Sequence, residues 1–149
     1  MSKELKIRIV KEMKKAMRAR NKERLGTIRL ILYELKRIEV DERIELEDNR
    51  VLVVLDKMVK QRRDSVEQYT NAKRQELADI EINDIKVVQE FLPEALSDSE
   101  SLLIILEAIK SIKASSMKDM GAVMSAIKPK IQGRADIGKV SKVIKDKLI

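Results

Sequence analysis

The sequence predicts an all-α protein: an N-terminal helical domain of about four helices followed by a small C-terminal three-helix bundle. The composition favours helix, because charged residues make up 38% of the 149 positions and aromatic residues only 2%, with four Gly and two Pro. Apolar residues recur at three- and four-residue spacing, which is typical of amphipathic helices. The aromatic-rich segments and regular turn clusters of a β fold are missing.

Four apolar lines predict the helices of the first domain. They are formed by Leu5, Ile9, Met13 and Met17; by Leu25, Ile28, Leu32, Leu35 and Ile38; by Val51, Leu55, Met58, Val59, Val66 and Tyr69; and by Leu77, Ile80, Ile85, Val88 and Leu92. Asn21 is placed to cap the second helix, which we expect to end near Val40. The acidic residues 41–47 then predict a loop.

The chain changes character at the "FLPEALS" segment. Pro93 disfavours continuation of the preceding helix. Ser97, with Glu100 three residues later, is typical of a capping box that opens a new helix. We therefore predict a first domain at 1–92, a linker at 93–97 and a second domain at 98–149.

Three further apolar lines predict the helices of the second domain. They are formed by Leu102, Leu103, Ile105, Leu106, Ile109 and Ile112; by Met117, Met120, Val123, Met124 and Ile127; and by Val140, Val143, Ile144 and Leu148. Ser116 and Asp119 resemble a second capping box. Pro129 and Gly133 are expected to end the sixth helix, and Asp136 to cap the seventh.

Several functional classes are disfavoured by what the sequence lacks. Without cysteine or histidine, disulfides, thiolate chemistry, imidazole catalysis and the usual zinc sites are excluded. The glycines form neither a P-loop nor a GxGxxG motif. We expect no catalytic residues, no metal and no cofactor.

The charged N-terminus resembles neither a signal peptide nor a transit peptide, and no window is apolar enough to span a membrane, so a cytoplasmic protein is expected.

The net charge of +7 is distributed unevenly. Residues 1–40 contain 13 Lys/Arg against 5 Asp/Glu, residues 41–97 contain 9 against 14, and residues 98–149 contain 10 against 6. Two basic ends flanking an acidic middle suit a polyanionic partner such as RNA. They equally suit mutual attraction between parts of one protein, or solvated helix faces.

The segment "KPKIQGRADIGKV" is the main candidate binding site. The turn itself requires only Pro129, Gly133 and Asp136 by the helix-end rules. The remaining cations, Lys128, Lys130, Arg134 and Lys139, have no role in capping. Cations beside a helix N-terminus form an anion-binding site, so this segment is a candidate for nucleic-acid binding, with a purely structural turn as the alternative.

The segment "KQRRDSVEQY" is a secondary candidate. One interpretation pairs Arg62, Arg63 and Tyr69 as a phosphate and base contact. The other is an ion-pair network within the helix, with Tyr69 in the core. Asp84 interrupts the apolar line of the fourth helix and is the expected partner of a buried Arg62.

Two other features have structural alternatives. The cluster of Met117, Met120 and Met124 suits an adaptable protein-binding surface, but its helical spacing favours core. The basic first helix suits an anionic membrane surface, but without Trp or Phe anchors it is expected to pack against the second and third helices.

Four segments together resemble the YqeY family: "NKERLGTIRLIL", "KQRRDSVEQY", "EFLPEALS" and "SSMKDMGAVMSAIKPKIQGRADIGKVS". The last, with its GRADxG core at Gly133 to Gly138, is the most specific. The resemblance implies an all-α protein related to the tail of the GatB subunit of the tRNA-dependent amidotransferase, a tail that contacts tRNA. It also carries the family label of a carbon–nitrogen ligase with glutamine as amido donor.

From the resemblance we expect a non-catalytic tRNA- or RNA-binding accessory protein, with a possible protein partner in tRNA aminoacylation or amidation and no membrane or DNA partner. Ligase activity and a protein-interaction module are the alternatives. One position departs from the family, which commonly has glycine where this chain has Lys73, so the turn there is expected to rely on Asn71.

Overall fold

The computed structural model of the protein describes residues 2–149, which contain seven α-helices and no strand. The helices are α1 (Glu4–Arg18), α2 (Lys22–Glu42), α3 (Asp48–Asn71), α4 (Gln75–Gln89), α5 (Asp98–Ile112), α6 (Met120–Ile131) and α7 (Ile137–Lys147). A 3₁₀ turn at Met117–Asp119 precedes α6. The all-α prediction is confirmed. None of these helices is long and apolar enough to cross a membrane within residues 2–149.

The first compact unit extends to Leu92 and contains α1 to α4. The α3 and α4 helices pack against each other most extensively, and α1 packs on α2 and α3. The most deeply buried side chains of its core are Ile9, Ile28, Ile31, Leu35, Leu46, Val51, Leu55 and Val88. The basic α1 therefore has the packing role that its apolar line predicts, with Ile9 and Ala16 buried.

The second compact unit is Pro93–Ile149 and contains α5 to α7. Residues 93–97 are non-helical, and Leu96 packs against a core built on Ile105, Val123, Ile127, Ile131 and Ile144. Met120 and Met124 are partly buried against this core, whereas Met117 is exposed. Two of the three methionines are therefore used for packing within the unit.

Side-chain caps fix where several helices begin, as their sequence spacing predicts. The Asn21 side chain accepts a hydrogen bond from the Arg24 N–H at 3.2 Å. Ser97 and Glu100 form the reciprocal capping box at 3.1 and 3.2 Å. The Asp136 carboxylate accepts from the Gly138 N–H at 2.8 Å. Each cap satisfies backbone donors that the first helical turn leaves unpaired.

The prediction that Pro129 ends the sixth helix is wrong. Pro129 lies inside α6, which continues to Ile131. Proline at position 129 lacks the N–H that would donate to the Ser125 carbonyl, but its fixed φ is close to that of a helix, and α6 continues for two more residues. The chain turns instead at Gly133, whose φ of 75° lies in the left-handed region that glycine adopts without strain.

Two other predictions differ from the structure in detail. The α2 helix extends to Glu42, two residues beyond the expected end, so the acidic loop shortens to residues 43–47. On α4, Ile80 is 56% exposed although it belongs to the apolar line, and Ala78 is fully buried instead. Residues two apart point to nearly opposite sides of a helix, so the burial of Ala78 leaves Ile80 facing solvent.

The helices commonly end on a basic residue in the left-handed conformation. Besides Gly133, the described positive-φ residues are Arg20, Arg43, Lys73 and Lys113. Cations complement the negative end of a helix dipole. The expectation that the turn after α3 relies on Asn71 is wrong, because Asn71 is the last residue of α3 and Lys73, with φ of 59°, makes the left-handed turn.

Candidate nucleic-acid interface

Backbone hydrogen bonds determine the turn between α6 and α7. The Gln132 N–H donates to the Lys128 carbonyl at 3.0 Å, and the Arg134 N–H donates to the Ile131 carbonyl at 2.9 Å. Gly133 supplies the left-handed residue between them. The turn is therefore complete without any lysine side chain, as the helix-end rules predict.

Arg134 has a structural role that the sequence does not reveal. Its Nε donates to the Glu94 carbonyl at 3.0 Å, and its own carbonyl accepts from the Leu96 N–H at 2.8 Å. Arg134 thus holds the segment before α5 against the α6–α7 turn, within the second unit. The helix-end rules assign Arg134 no role in capping, and its structural role is not visible in the local sequence because the partners lie about forty residues away.

Lys128, Lys130 and Lys139 are the exposed cations of this segment. Lys128 and Lys130 lie in the last turn of α6, where a positive charge is favourable beside the helix dipole. Lys139 lies in the first turn of α7, next to the Asp136 cap. Because the Asp136 carboxylate already occupies this N-terminus, an anion would meet the exposed lysines rather than the helix end.

The cations of the second unit form no ion pair within 4 Å in the described chain. All nine ion pairs found among residues 2–149 lie in the first unit. In the second unit, Glu100, Asp119 and Asp136 accept backbone N–H groups instead. The ten Lys/Arg of residues 98–149 are therefore not neutralised by a carboxylate within 4 Å in the described chain.

In the first unit, by contrast, basic and acidic segments pair with each other. Lys3 binds Glu45 at 2.7 Å, and Arg24 contacts both Glu12 and Glu90. Attraction between parts of the same chain, one of the alternatives left by the charge distribution, is thus present in this unit. Because the cations of the first unit are partly paired, their excess over carboxylates is a weaker indication of a polyanionic partner than the excess in the second unit.

The secondary candidate is divided by the structure. Arg62 Nε lies 3.5 Å from one carboxylate oxygen of Asp84, and both side chains are largely buried. The other oxygen of Asp84 accepts a hydrogen bond from the Thr27 hydroxyl at 2.7 Å. The partnership of Arg62 with Asp84 is confirmed, and it joins α3 to α4 rather than lying within one helix. Arg63 is exposed and Tyr69 is partly buried. These three residues do not converge on one phosphate and base contact.

A known protein family matches nearly the whole chain. The family described as Yqey-like protein matches residues 6–148. The chain belongs to the YqeY family. It is 33% identical over 145 residues to altered inheritance of mitochondria protein 41 of Pyrenophora tritici-repentis, covering 93% of this chain and 78% of that protein. It is 36% identical over 120 residues to the protein of the same name of Clavispora lusitaniae, covering 78% and 69%.

The GRADxG core of this YqeY-family chain has a structural explanation at three positions. Gly133 makes the left-handed turn, Arg134 holds residues 94–96, and Asp136 caps α7. These three positions of the motif therefore contribute to the fold. The binding hypothesis then rests on the exposed lysines beside the motif.

Proposed function

We propose that the chain is a non-catalytic RNA-binding accessory protein that associates with tRNA through its second unit. The observation that carries the proposal is the set of exposed lysines without carboxylate partners in that unit. Such cations release condensed counterions when they meet phosphates, which supplies affinity without base recognition. The resemblance of the YqeY family to the tRNA-contacting tail of GatB supports tRNA as the RNA.

The contact surface centres on Lys128, Lys130 and Lys139, and Arg134 contributes mainly by holding the turn. Surface lysines act as point charges on flexible stems, so they suit the phosphate backbone better than a specific base edge. Lys142 and Lys145 are further exposed cations of α7. We expect binding that is strongly salt-dependent and only weakly selective for sequence.

Labelled tRNA binding to a triple lysine variant tests this proposal. Lys128→Ala, Lys130→Ala and Lys139→Ala together are expected to weaken binding at least tenfold at 50 mM salt. The matched control is Lys22→Ala, Lys60→Ala and Lys86→Ala, three exposed lysines of the first unit, which should change binding less than threefold. Equal affinities for both triple variants would exclude the proposed surface.

An enzymatic role is the alternative that the family label raises. Incubation of the protein with glutamine, ATP and a misacylated tRNA separates the two functions. The proposal expects no amide product, and amide formation would overturn it. A cytoplasmic location is part of the proposal, and fractionation of cells should place the protein there rather than in mitochondria, the compartment that appears in the names of the fungal relatives.

A further inference from the structure

An open groove of about 460 Å³ runs between α2 and α3 in the first unit. The α2 helix lines it with five residues from Leu30 to Ile38, and α3 lines it with seven from Arg50 to Arg62, both at helical three- and four-residue spacing. Each helix therefore presents one continuous stripe to the groove.

The two stripes run antiparallel. At one end of the helix pair, Arg50 of α3 binds Glu42 of α2 at 2.7 Å. At the other end, Thr27 of α2 and Arg62 of α3 both contact Asp84. At 1.5 Å per residue, the lining spans about 12 Å along α2 and about 18 Å along α3. This length matches two to three turns of a third helix.

Apolar side chains are left uncovered along this groove. Tyr33 is 66% exposed, Leu30 49% and Val53 42%. Single exposed apolar residues are ordinary, but three that line one groove together form a patch of the kind that marks an interaction site. The core contact of α2 is made by other residues, with Ile31 and Leu35 fully buried, so Leu30 and Tyr33 are left facing solvent.

The polar lining of the groove is predominantly cationic. It contains Arg37, Arg50, Lys57 and Arg62 against the single carboxylate of Glu34, although Arg62 is already paired with Asp84. Lys57 has no carboxylate within 4 Å in the described chain, and the pairs made by Arg37 and Arg50 are exposed, so a competing carboxylate exchanges with them at little cost. The groove is thus complementary to an occupant that is apolar on one face and acidic at its edges.

We propose that the groove docks an acidic amphipathic helix of a partner protein. Apolar stripes on two antiparallel helices receive residues at i, i+3, i+4 and i+7 of such a helix, and Lys57, Arg37 and Arg50 meet its acidic flanks. RNA fits less well, because single-stranded recognition uses successive aromatic platforms and this groove offers one exposed ring among aliphatic walls. The proposal is separate from the RNA surface of the second unit.

A peptide selection tests the proposal. A displayed library of random 16-residue peptides is selected on the full-length protein in nuclease-treated buffer. Peptides are retained when they bind wild type but not the Tyr33→Asp variant. The expected sequences carry apolar residues at i, i+3 or i+4 and i+7 with net negative charge. Basic sequences, or no enrichment over the Tyr33→Asp selection, would overturn it.

A synthesised peptide from the selection gives the quantitative test. Tyr33→Asp and Lys57→Glu should each weaken its binding at least fivefold, while Ile80→Asp, at an exposed apolar position of α4 outside the groove, should leave it within twofold. Circular dichroism verifies the fold of each variant. If Tyr33→Asp instead weakens tRNA binding, or dissociates a homodimer, the groove has another occupant and the proposal is wrong. The lysine variants of the second unit should still bind the peptide.

Discussion

Glu39 is a buried carboxylate whose charge is compensated by two hydrogen-bond donors. Its side chain is 8% exposed, with Lys6 Nζ 2.5 Å from one oxygen and the Leu46 N–H donating to the other at 3.0 Å. Burial by itself raises the pKa of this carboxyl, but the bonds from Lys6 and Leu46 outweigh burial and hold the pKa below its ordinary value. Glu39 thus joins α1, α2 and the following loop.

Because the folded pKa of Glu39 lies below the unfolded one, its contribution to stability is present above about pH 4.3 and is lost as pH falls through the folded pKa. We expect Glu39→Gln to lower the free energy of unfolding by about 1–2 kcal/mol at pH 7. The difference from wild type should shrink below pH 4, as measured by urea unfolding between pH 7 and 3. The control Glu67→Gln, at an exposed position, should be neutral. A difference that is independent of pH would contradict this account.

Lys73 offers a second test at the residue scale. A side chain at φ of 59° is strained, and glycine removes that strain at the cost of a more flexible unfolded chain. We expect Lys73→Gly to stabilise the first unit by about 0.5–1 kcal/mol in urea unfolding. Ala72→Gly, at φ of −82°, is the matched control and should destabilise. A loss of stability in Lys73→Gly would show that the turn is not strained there.

The contacts among helices explain which elements the sequence can predict. Helix starts at Asn21, Ser97 and Asp136 depend on residues within four positions, so their caps are visible in the sequence. The partnership of Arg62 with Asp84 was predictable because a carboxylate on an apolar line requires a cation. Arg134 with Glu94, and the groove lined by Tyr33, depend on the packing of distant segments, which no local spacing shows.

At the scale of elements, the Arg62 and Asp84 pair links α3 to α4, with Thr27 of α2 on the same carboxylate. Arg62 Nε is buried and has no hydrogen-bond partner in the described chain, so Asp84 is its main compensation. We expect Asp84→Asn to lower the free energy of unfolding by about 1–3 kcal/mol, less than for a fully buried pair because both side chains retain some exposure. Urea unfolding measures this effect.

The double variant Arg62→Met with Asp84→Leu is the control for that experiment. It replaces the ion pair by apolar side chains of similar size, and it should recover at least half of the loss. If the double variant is less stable than Asp84→Asn alone, the ion pair contributes more to the stability of the first unit than compensation for the buried charge of Arg62.

At the scale of the whole molecule, the two units use their charges differently. The first unit contains all nine ion pairs found among residues 2–149, several of them between helices, whereas three carboxylates of the second unit accept backbone N–H groups. The charge excess of residues 98–149 is visible in the sequence, but its lack of ionic partners appears only in the folded structure. That difference is why the proposed RNA surface lies in the second unit.

The most direct measurement of this claim is the salt dependence of tRNA binding. Each lysine that contacts a duplex phosphate contributes about 0.9 to the log-log slope of affinity against salt. The Lys128→Ala, Lys130→Ala and Lys139→Ala variant should therefore lose about 2 to 3 units of slope relative to wild type. The first-unit triple variant should retain the wild-type slope. An unchanged slope in the second-unit variant would contradict the account.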